Sequence, residues 1–274
     1  MIEGMSDHAT SSAGYVHGHA QNVLANHGSR TAADSAAYLL PHLREGMTIL
    51  DVGCGPGSIT LDLAEVVGES GRVVGIEPVP GPLETARAAA AERGVANTAF
   101  ELGDAYALPH PGAAVDVVHA HQVLQHLTDP VAALREMARV SGDLVAVREV
   151  DYGAMLWHPA SEGMTRWLEV YRAVNHADGR EPDAGRRLRA WAHQAGLRDV
   201  RVSASTWCYA DEAGTRWLGE SWASRVDAPA FRERAAAVGA GADEVDAMVA
   251  DWRAWARHPA ATFVMTHLEL LAGR

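Results

Sequence analysis

The chain contains no lysine: all 23 of its Lys/Arg side chains are arginine. This absence excludes a phosphate-binding P-loop, because that motif places a lysine directly after its last glycine. It also excludes covalent catalysis through a lysine Schiff base. Any nucleotide-like ligand must therefore be held in another way.

Cysteine is scarce as well. Cys54 and Cys208 are the two cysteines among 274 residues, so the chain has no disulfide framework and we expect a reducing compartment. No apolar run has the length of a signal peptide or of a membrane-spanning helix. We therefore expect a soluble, cytoplasmic protein that does not bind a membrane.

The chain has fewer positively charged than negatively charged side chains. With 23 arginines against 35 Asp and Glu residues, the formal net charge is −12, which argues against a nucleic-acid backbone or an anionic membrane surface as a partner. The length and the hydrophobic content of 48% suit one large α/β domain. No repeat, linker or change of composition class divides the chain, so we expect residues 1–274 to form a single domain.

The most informative stretch runs from Met47 to Ser58. An apolar run suited to a buried strand ends at Asp51 and Val52, glycines follow at 53, 55 and 57, and helical periodicity begins thereafter. A strand that enters a glycine-rich turn before a helix presents backbone N–H groups to a ligand. Ser58 stands where a dinucleotide fingerprint needs its third glycine. Asp51 can balance a cationic ligand, which a pyrophosphate site would not favour.

The segment Leu50-Asp51-Val52-Gly53-Cys54-Gly55-Pro56-Gly57 resembles the first motif of class I S-adenosylmethionine (SAM) dependent methyltransferases. More narrowly, the chain resembles the branch related to ubiquinone and menaquinone methyltransferases. Residues 26–31, 121–126, 148–153 and 181–187 extend the resemblance over nearly the whole chain, to a group of small-molecule methyltransferases of bacteria and fungi. The resemblance implies SAM as the cofactor and methyl transfer as the activity.

Strands alternate with helices along the first half of the chain. This order predicts right-handed crossovers and a parallel sheet whose ligand lies at the carboxyl ends of the strands. We therefore predict an α/β, Rossmann-like sheet of seven strands, and the resemblance implies that the last strand is antiparallel. After the first strand, the expected strands are 72–77, 98–102, 115–120, 144–150, 197–209 and 262–271.

The expected domain has four parts. Residues 1–45 form an N-terminal helical lid, with a capped helix from Thr31 towards Leu43, and residues 46–151 form the SAM-binding core. Two insertions, 152–181 and 211–260, form a helical cap over the carboxyl ends of the strands. All eight tryptophans lie after residue 156, so the aromatic content belongs to this second half.

The ends of the strands supply the expected cofactor contacts. A carboxylate at Glu77 can accept hydrogen bonds from both ribose hydroxyls, and the resemblance assigns it that role. The resemblance also places Asp104 at the adenine amine, and His121 with Gln122 beside the methionine part. The expected cofactor-binding residues are Tyr15, Arg30, Asp51, Gly53, Cys54, Gly55, Gly57, Glu77, Pro78, Asp104, Ala105, His121 and Gln122.

Four side chains are candidates for a base that takes a proton from the methyl acceptor: His121, Tyr15, Glu149 and Asp151. Alternation places His119 on the same strand face as His121, but we expect a structural role for it. Two histidines without a third ligand argue against a metal site. An ion pair between Arg148 and Glu149 or Asp151 explains the charged residues at the end of the strand 144–150 as well as a catalytic role does.

Large aromatic residues at helical spacing are mostly core residues, yet a pocket under a tryptophan-rich cap suits a flat aromatic acceptor. The candidate acceptor-binding residues are His17, Tyr152, Trp157, Tyr171, Trp217 and Trp222.

The identity of the acceptor is the least determined point. Similar actinobacterial enzymes methylate the indole C3 of tryptophan-containing cyclodipeptides and close a pyrroloindoline, and this reaction of secondary metabolism is the sharpest hypothesis. C- or O-methylation of a quinone, phenol or other secondary metabolite is the alternative. A SAM-binding protein without catalysis and, as the weakest, a nicotinamide oxidoreductase are alternatives of other classes. We expect a monomer or a homodimer.

Overall fold

The structure is a computed structural model that describes residues 30–274, so Tyr15 and His17 lie outside the described residues. The strands are β1 (Thr48–Val52), β2 (Arg72–Glu77), β3 (Thr98–Leu102), β4 (Val115–His121), β5 (Ser141–Val150), β6 (Leu156–His158), β7 (Arg198–Tyr209) and β8 (Thr262–Gly273). The helices are α1 (Ala32–Ser35), α2 (Ser58–Val67), α3 (Pro80–Arg93), α4 (Pro130–Val140), α5 (Glu162–Ala177), α6 (Ala184–Ala195), α7 (Glu212–Asp227), α8 (Pro229–Ala237) and α9 (Ala242–Ala256).

All of these strands belong to one sheet, of eight strands rather than the expected seven. Strands β3, β2, β1, β4 and β5 lie side by side in that order and run parallel. Strand β8 is antiparallel to β5 and to β7, so the expected antiparallel last strand is confirmed. The additional strand is β6, which pairs Trp157 with Phe263 of β8. A strand of three residues is too short to be predicted from an alternation of apolar and polar side chains.

Helices cover both faces of the parallel strands, as a buried parallel sheet requires. On the face that we call the α2 face, Leu39 and Leu63 pack with Ile49. On the opposite face, Leu134 of α4 packs in one cluster with Val118 of β4. The row of polar groups described next lies on the α2 face, where Trp207 of β7 donates a hydrogen bond to the Asp34 carbonyl of α1.

Polar side chains cross the α2 face in register. His121 of β4 lies opposite Arg148 of β5, which lies opposite Glu269 of β8, which lies opposite Ser203 of β7. Residues that lie directly opposite each other point to the same face of a sheet. His267 follows on the same face of β8, two residues nearer the carboxyl edge of the parallel strands. A row of polar groups is therefore built into an otherwise apolar face.

Helices α5, α7 and α9 form a layer beside the carboxyl ends of the parallel strands. Their core contains Trp167, Trp222 and Trp252, and the Trp167 ring centroid lies 4.6 Å from that of Trp222 and 4.8 Å from that of Trp252. This layer meets the sheet at Phe263, whose ring lies 5.7 Å from Trp252. Within residues 30–274, no helix has the length and hydrophobicity needed to cross a bilayer.

The segment after Arg30 is less helical than expected. Thr31 and Asp34 form the predicted capping box, in which each side chain bonds the other residue's backbone N–H. The helix nevertheless ends at Ser35, and a short 3₁₀ turn follows at Leu40–His42. Pro41 lies in that turn and has no N–H with which to continue an α-helix.

Candidate functional site

The glycine loop between β1 and α2 depends on backbone conformations that glycine favours. Gly53, Gly55 and Gly57 have φ angles of +71°, +53° and +81°. A Cβ atom on Gly53 would lie 2.4 Å from Cγ2 of Val123, and one on Gly57 would lie 2.8 Å from the Ala86 Cβ. The loop therefore has no room for a side chain at Gly53 or Gly57, and glycine leaves the loop backbone open to close approach by a ligand.

Asp51 is buried at the end of β1 and anchors the loop. Its carboxylate accepts a hydrogen bond from Thr60 Oγ1 at 2.5 Å and lies 2.7 Å from His119 Nδ1. His119 is fully buried and has the structural role that we expected. Each carboxylate oxygen of Asp51 thus has one protein partner, and the residue also lines the pocket at the loop.

Glu77 lies at the end of β2, next to the loop. It is 8% exposed, and its Oε2 accepts the Gly55 N–H at 3.2 Å. Burial raises the pKa of Glu77 to about 7, against the opposing effect of backbone hydrogen bonds from Gly55 and Val79. No arginine bonds to this carboxylate in the part of the chain that the structure describes. A buried, unneutralised carboxylate suits a ligand that donates hydrogen bonds, such as a ribose diol.

The remaining expected cofactor residues follow β1, β2 and β3. The Cys54 thiol is half-buried and burial raises its pKa, so it is a neutral part of the loop wall. Pro78 is exposed directly after Glu77, and Ala105 is half-buried after β3. Asp104 is exposed and accepts the Tyr106 N–H at 2.9 Å. All four lie at the carboxyl edge of the sheet, where the strand order brings them near the loop.

A pocket at the loop is lined by Arg30, Asp51, the loop residues and His121. His121 is 7% exposed, and neither of its ring nitrogens has a hydrogen-bond partner among residues 30–274. Burial, and then the charges of Arg30 and Arg148, lower the pKa of His121 well below its usual value. The imidazole is therefore neutral and has a lone pair available at neutral pH.

His121 also belongs to a group of side chains around Trp207. We call this group the Trp207 cluster and define it as Arg30, His121, Gln122, Arg148, Trp207 and His267. The Trp207 ring centroid lies 5.7 Å from that of His121 and 4.4 Å from that of His267. The Cζ atoms of Arg148 and Arg30 lie 4.8 and 5.4 Å from the Trp207 centroid. The indole N–H of Trp207 donates to the Asp34 carbonyl at 3.2 Å, which holds the ring against α1.

Gln122 joins two members of the Trp207 cluster. Its Oε1 accepts from Arg30 Nη2 at 3.0 Å, and its Nε2 lies 2.8 Å from His267 Nε2. The backbone at Gln122 has a φ of +54°, which is uncommon for a residue other than glycine. The turn after β4 therefore presents Gln122 in a strained conformation at the site, where such strain is often found.

Two of the expected bases, Glu149 and Asp151, are bonded to other parts of the chain. Glu149 is fully buried, and its carboxylate accepts the backbone N–H groups of Val123 at 2.7 Å, Leu124 at 2.6 Å and Gln125 at 3.4 Å. Asp151 is bound by Arg186 through the backbone N–H and through the guanidinium. Both carboxylates point to the opposite face of the sheet from His121, so the structure does not bring these two expected bases together with it.

Arg148 pairs with neither of the acids next to it in sequence. Its guanidinium donates to Ser205 Oγ at 3.1 and 3.2 Å, and its Nε lies 3.6 Å from Glu269 Oε1. Burial lowers the pKa of Arg148 to about 10, so it stays charged. Side chains alternate between the two faces of a strand. Arg148 therefore points to the α2 face, while Glu149 and Asp151 point away from it and cannot pair with Arg148.

The expected acceptor-binding aromatics mostly belong to the core of the helical layer. Tyr152, Tyr171 and Trp222 are 6%, 1% and 3% exposed and contact one another. Trp157 is half-buried and stacks on Phe263, and Trp217 is exposed and stacks on Tyr209. None of the five belongs to the Trp207 cluster. Tyr152, Tyr171 and Trp222 are therefore part of the hydrophobic core of the helical layer.

Sequence reasoning missed Trp207 and His267. The available signal was alternation along β7, which puts Ser205, Trp207 and Tyr209 on one face. The pairing of Trp207 with Met265 is what brings that face next to His267 and His121, and nothing local in the sequence indicates this pairing. In the described part of the chain, no three His, Cys, Asp or Glu side chains are grouped as they would be around a metal ion.

The residues present fit SAM. The glycine cradle leaves no space for a Cβ at Gly53 or Gly57, and Glu77 is a buried acceptor at the end of the neighbouring strand. The sheet order and the antiparallel β8 define the class of Rossmann-like SAM-dependent methyltransferases.

Comparison with known proteins agrees. Residues 43–195 match the family model described as a methyltransferase domain, and the chain belongs to this family. It is 37% identical over 222 residues to an uncharacterised methyltransferase of Schizosaccharomyces pombe, a match that covers 77% of this chain and 79% of the relative. The protein is therefore a SAM-dependent methyltransferase.

Two further similarities are narrower. The demethylmenaquinone methyltransferase of Lactococcus lactis is 40% identical over 95 residues, which are 35% of this chain and 38% of that enzyme. Among solved structures, the [4+2]-cyclase SpnF aligns with a TM-score of 0.53 at 24% identity and covers 92% of this chain and 79% of its own. The second similarity concerns the fold alone.

Proposed function

We propose that this protein methylates a small aromatic acceptor, with indole C3 of a tryptophan-containing cyclodipeptide as the leading candidate. The observation that carries the proposal is the position of His121. It lines the pocket at the glycine loop and also lies 5.7 Å from the Trp207 ring. A methyl donor at the loop and a flat acceptor beside Trp207 would thus meet at His121. In this proposal residues 1–45 act as a lid, and the insertions 152–181 and 211–260 as a cap.

SAM, when bound, supplies an electrophilic methyl group. The loop backbone holds SAM. Glu77 accepts hydrogen bonds from its ribose hydroxyls, and Asp104 accepts a hydrogen bond from its adenine amine. The acceptor contributes the electron pair of the new bond, the sulfur keeps the pair of the broken bond, and one proton leaves the acceptor. Neutral His121 takes that proton. Alignment of the two reactants contributes roughly 7–11 kcal/mol to lowering the barrier, so the protein needs no covalent chemistry.

A panel of acceptors tests the proposal. Purified protein is incubated with methyl-labelled SAM and with tryptophan-containing cyclodipeptides, hydroxyarenes and quinols, and mass spectrometry follows the gain of one labelled CH₂ unit. We expect transfer to an indole, with S-adenosylhomocysteine formed in equal amount. Transfer to oxygen or carbon of a hydroxyarene alone would replace the indole assignment by the alternative below. SAM binding without product from any acceptor would favour a non-catalytic SAM-binding protein.

Replacing His121 with alanine tests the base. We expect turnover to fall about 10²–10⁴-fold, the usual contribution of a positioned base, while the SAM dissociation constant changes only a few-fold. His193→Ala, an exposed histidine on α6, is the matched control and should keep wild-type turnover. Equal turnover in the two variants would exclude His121 as the base.

The titration of Glu77 tests the ribose contact. Only an ionised carboxylate accepts from both hydroxyls, so SAM affinity should weaken as pH falls through about 7, roughly tenfold from pH 8 to pH 6. Isothermal titration with wild type and Glu77→Gln measures this, because the variant retains the pH dependence of SAM's own amino group. Parallel profiles for the two proteins would contradict the role of Glu77.

Without SAM, the same carboxyl affects stability in the opposite sense. Its folded-state pKa of about 7 lies above the ordinary 4.5, so its favourable contribution is complete below about pH 4.5 and is lost as pH rises through 7. The melting temperature of wild type relative to Glu77→Gln should therefore fall between pH 5 and pH 8.

Methylation of a quinol or phenol is the second candidate. The partial similarity to demethylmenaquinone methyltransferase favours it, and His121 is placed equally well to take a proton from a hydroxyl group. The acceptor panel separates the two candidates directly.

A further inference from the structure

The hydrogen bonds of Gln122 determine which nitrogen of His267 carries a proton. A guanidinium has only donors, so the Gln122 atom 3.0 Å from Arg30 must be the amide oxygen. The amide nitrogen therefore faces His267 Nε2 at 2.8 Å and donates to it. An imidazole nitrogen that accepts a hydrogen bond carries no proton. His267 Nε2 is thus unprotonated.

The proton of His267 must then be on Nδ1. The imidazole is neutral, because burial and the charges of Arg148 and Arg30 lower the pKa of His267 well below its usual value. The Met265 backbone opposes this shift and raises the pKa of His267. The side chain is completely buried, yet Nδ1 forms no hydrogen bond with the distance and angle of a well-formed one within residues 30–274. Buried donors are nearly always paired in native proteins, so this N–H has the capacity to donate to a ligand.

A second donor lies beside the same indole. Nη1 of Arg148 is buried and has no partner in the described part of the chain, while the other two guanidinium nitrogens bond to Ser205. Arg148 and His267 both contact Trp207, at 4.8 and 4.4 Å from its ring centroid. The Trp207 cluster thus combines an aromatic surface with two unused donors, and with the neutral His121 on the side of the glycine loop.

We propose that His267 binds an oxygen atom of the methyl acceptor through Nδ1–H, and that Gln122, held by Arg30, is the positioning residue that keeps His267 in this tautomer. The acceptor class is an aromatic compound with a carbonyl, enol or phenol oxygen near the atom to be methylated. Arg148 adds positive charge that favours the ionised form of such an oxygen. A plain indole lacks this group, whereas a cyclodipeptide carries amide carbonyls. The proposal rests on the proposed function, since it describes the acceptor of the same reaction.

The tautomer is measured directly. Protein labelled with ¹⁵N-histidine and saturated with S-adenosylhomocysteine should show His267 with a protonated Nδ1 and an unprotonated Nε2, assigned by comparison with His267→Asn. Replacing Gln122 with leucine removes the donor to Nε2 and should give a mixture of tautomers. A wild-type protein with the proton on Nε2, or with a doubly protonated ring, overturns the proposal.

The oxygen contact is tested with phenol and, as the matched probe without oxygen, toluene. We expect phenol to bind the wild-type complex with S-adenosylhomocysteine at least about tenfold more tightly than toluene and to shift the His267 Nδ1 signal. His267→Asn keeps an amide near the Nδ1 position and should retain much of this preference, whereas His267→Gln keeps an amide near Nε2 and should lose it. Equal binding of both probes, no binding of either, or an unchanged preference in His267→Gln overturns the proposal.

These measurements distinguish a failure of the proposed methyl transfer from a failure of the proposed His267 contact. Binding of S-adenosylhomocysteine shows in each variant that the protein is folded, and the wild-type titration decides even where a variant does not fold. Neither the tautomer nor the phenol titration requires turnover. A failure of methyl transfer with an intact phenol preference therefore counts against the proposed function alone, and a lost preference with intact transfer counts against His267 alone.

Discussion

Replacing Gly53 with alanine will weaken SAM binding by about 100-fold or more and destabilise the protein. Gly53 has a φ of +71°, a conformation that costs an L-residue roughly 1–2 kcal/mol. The new Cβ would also lie 2.4 Å from Cγ2 of Val123, a distance at which something must move. Val123 belongs to the turn that follows His121 and contains Gln122, so relief of the clash would displace both the loop and the Trp207 cluster.

Gly81→Ala is the matched control. Gly81 is exposed in α3, has no left-handed φ, and a Cβ there would have no atom within 4 Å. We expect unchanged SAM binding and a gain in stability of about 0.5–1 kcal/mol, the usual effect of removing glycine from a helix. Isothermal titration with SAM and thermal unfolding measure both variants. If Gly53→Ala bound SAM as tightly as Gly81→Ala, the glycine loop would not be the cofactor site.

The core of the fold could be predicted from local sequence because each of its elements carries its own signal. Strands β2 and β3 have the expected bounds, since apolar runs between glycines and polar turns are characteristic of buried strands. Helix α4 begins at Pro130, a residue suited to a first helical turn. The glycine loop was identified by residue types that occupy consecutive positions, so no long-range information was needed.

The Trp207 cluster depends on contacts between distant segments. Trp207 and His267 come together because β7 pairs with β8, and both reach His121 because β8 lies next to β5. Strand order of this kind is decided by the packing of the whole sheet. Sequence position indicates that His121 is near the cofactor, but it does not indicate which aromatic residue lies opposite.

The carboxylates at the end of β5, Glu149 and Asp151, have partners that local sequence does not show. Charged residues at the end of a buried strand need a partner or a function. The partners of Glu149 are backbone N–H groups, which every residue has, and the partner of Asp151 is Arg186, contributed by a separate helix. Local sequence therefore indicates that a partner must exist without identifying it.

Removing the Glu149 carboxylate will cause the second large effect. Its oxygens bond to three successive backbone N–H groups in the turn that follows His121 and Gln122, and the carboxylate is fully buried. Glu149→Ala leaves these donors unpaired and opens a cavity. We expect a loss of about 3–5 kcal/mol in the free energy of unfolding and a melting temperature lower by roughly 10 °C.

Glu149→Gln keeps one acceptor oxygen and replaces the other by an amide nitrogen. The amide oxygen can still accept from Val123 and Leu124, but the amide nitrogen then faces the Gln125 N–H, donor against donor. We expect a loss intermediate between wild type and Glu149→Ala. Glu92→Ala, an exposed glutamate on α3, should stay within about 0.5 kcal/mol of wild type.

The stability difference between wild type and Glu149→Gln should depend on pH. Burial raises the pKa of Glu149 to about 8, although the three backbone N–H groups and Arg148 oppose this shift. A folded-state pKa above the ordinary 4.5 means that part of the stability contributed by Glu149 is lost as pH rises through 8. The destabilisation of Glu149→Gln relative to wild type should therefore be larger at pH 5 than at pH 9. A difference that grows with pH would instead mean that the backbone donors dominate and that Glu149 is ionised in the folded protein.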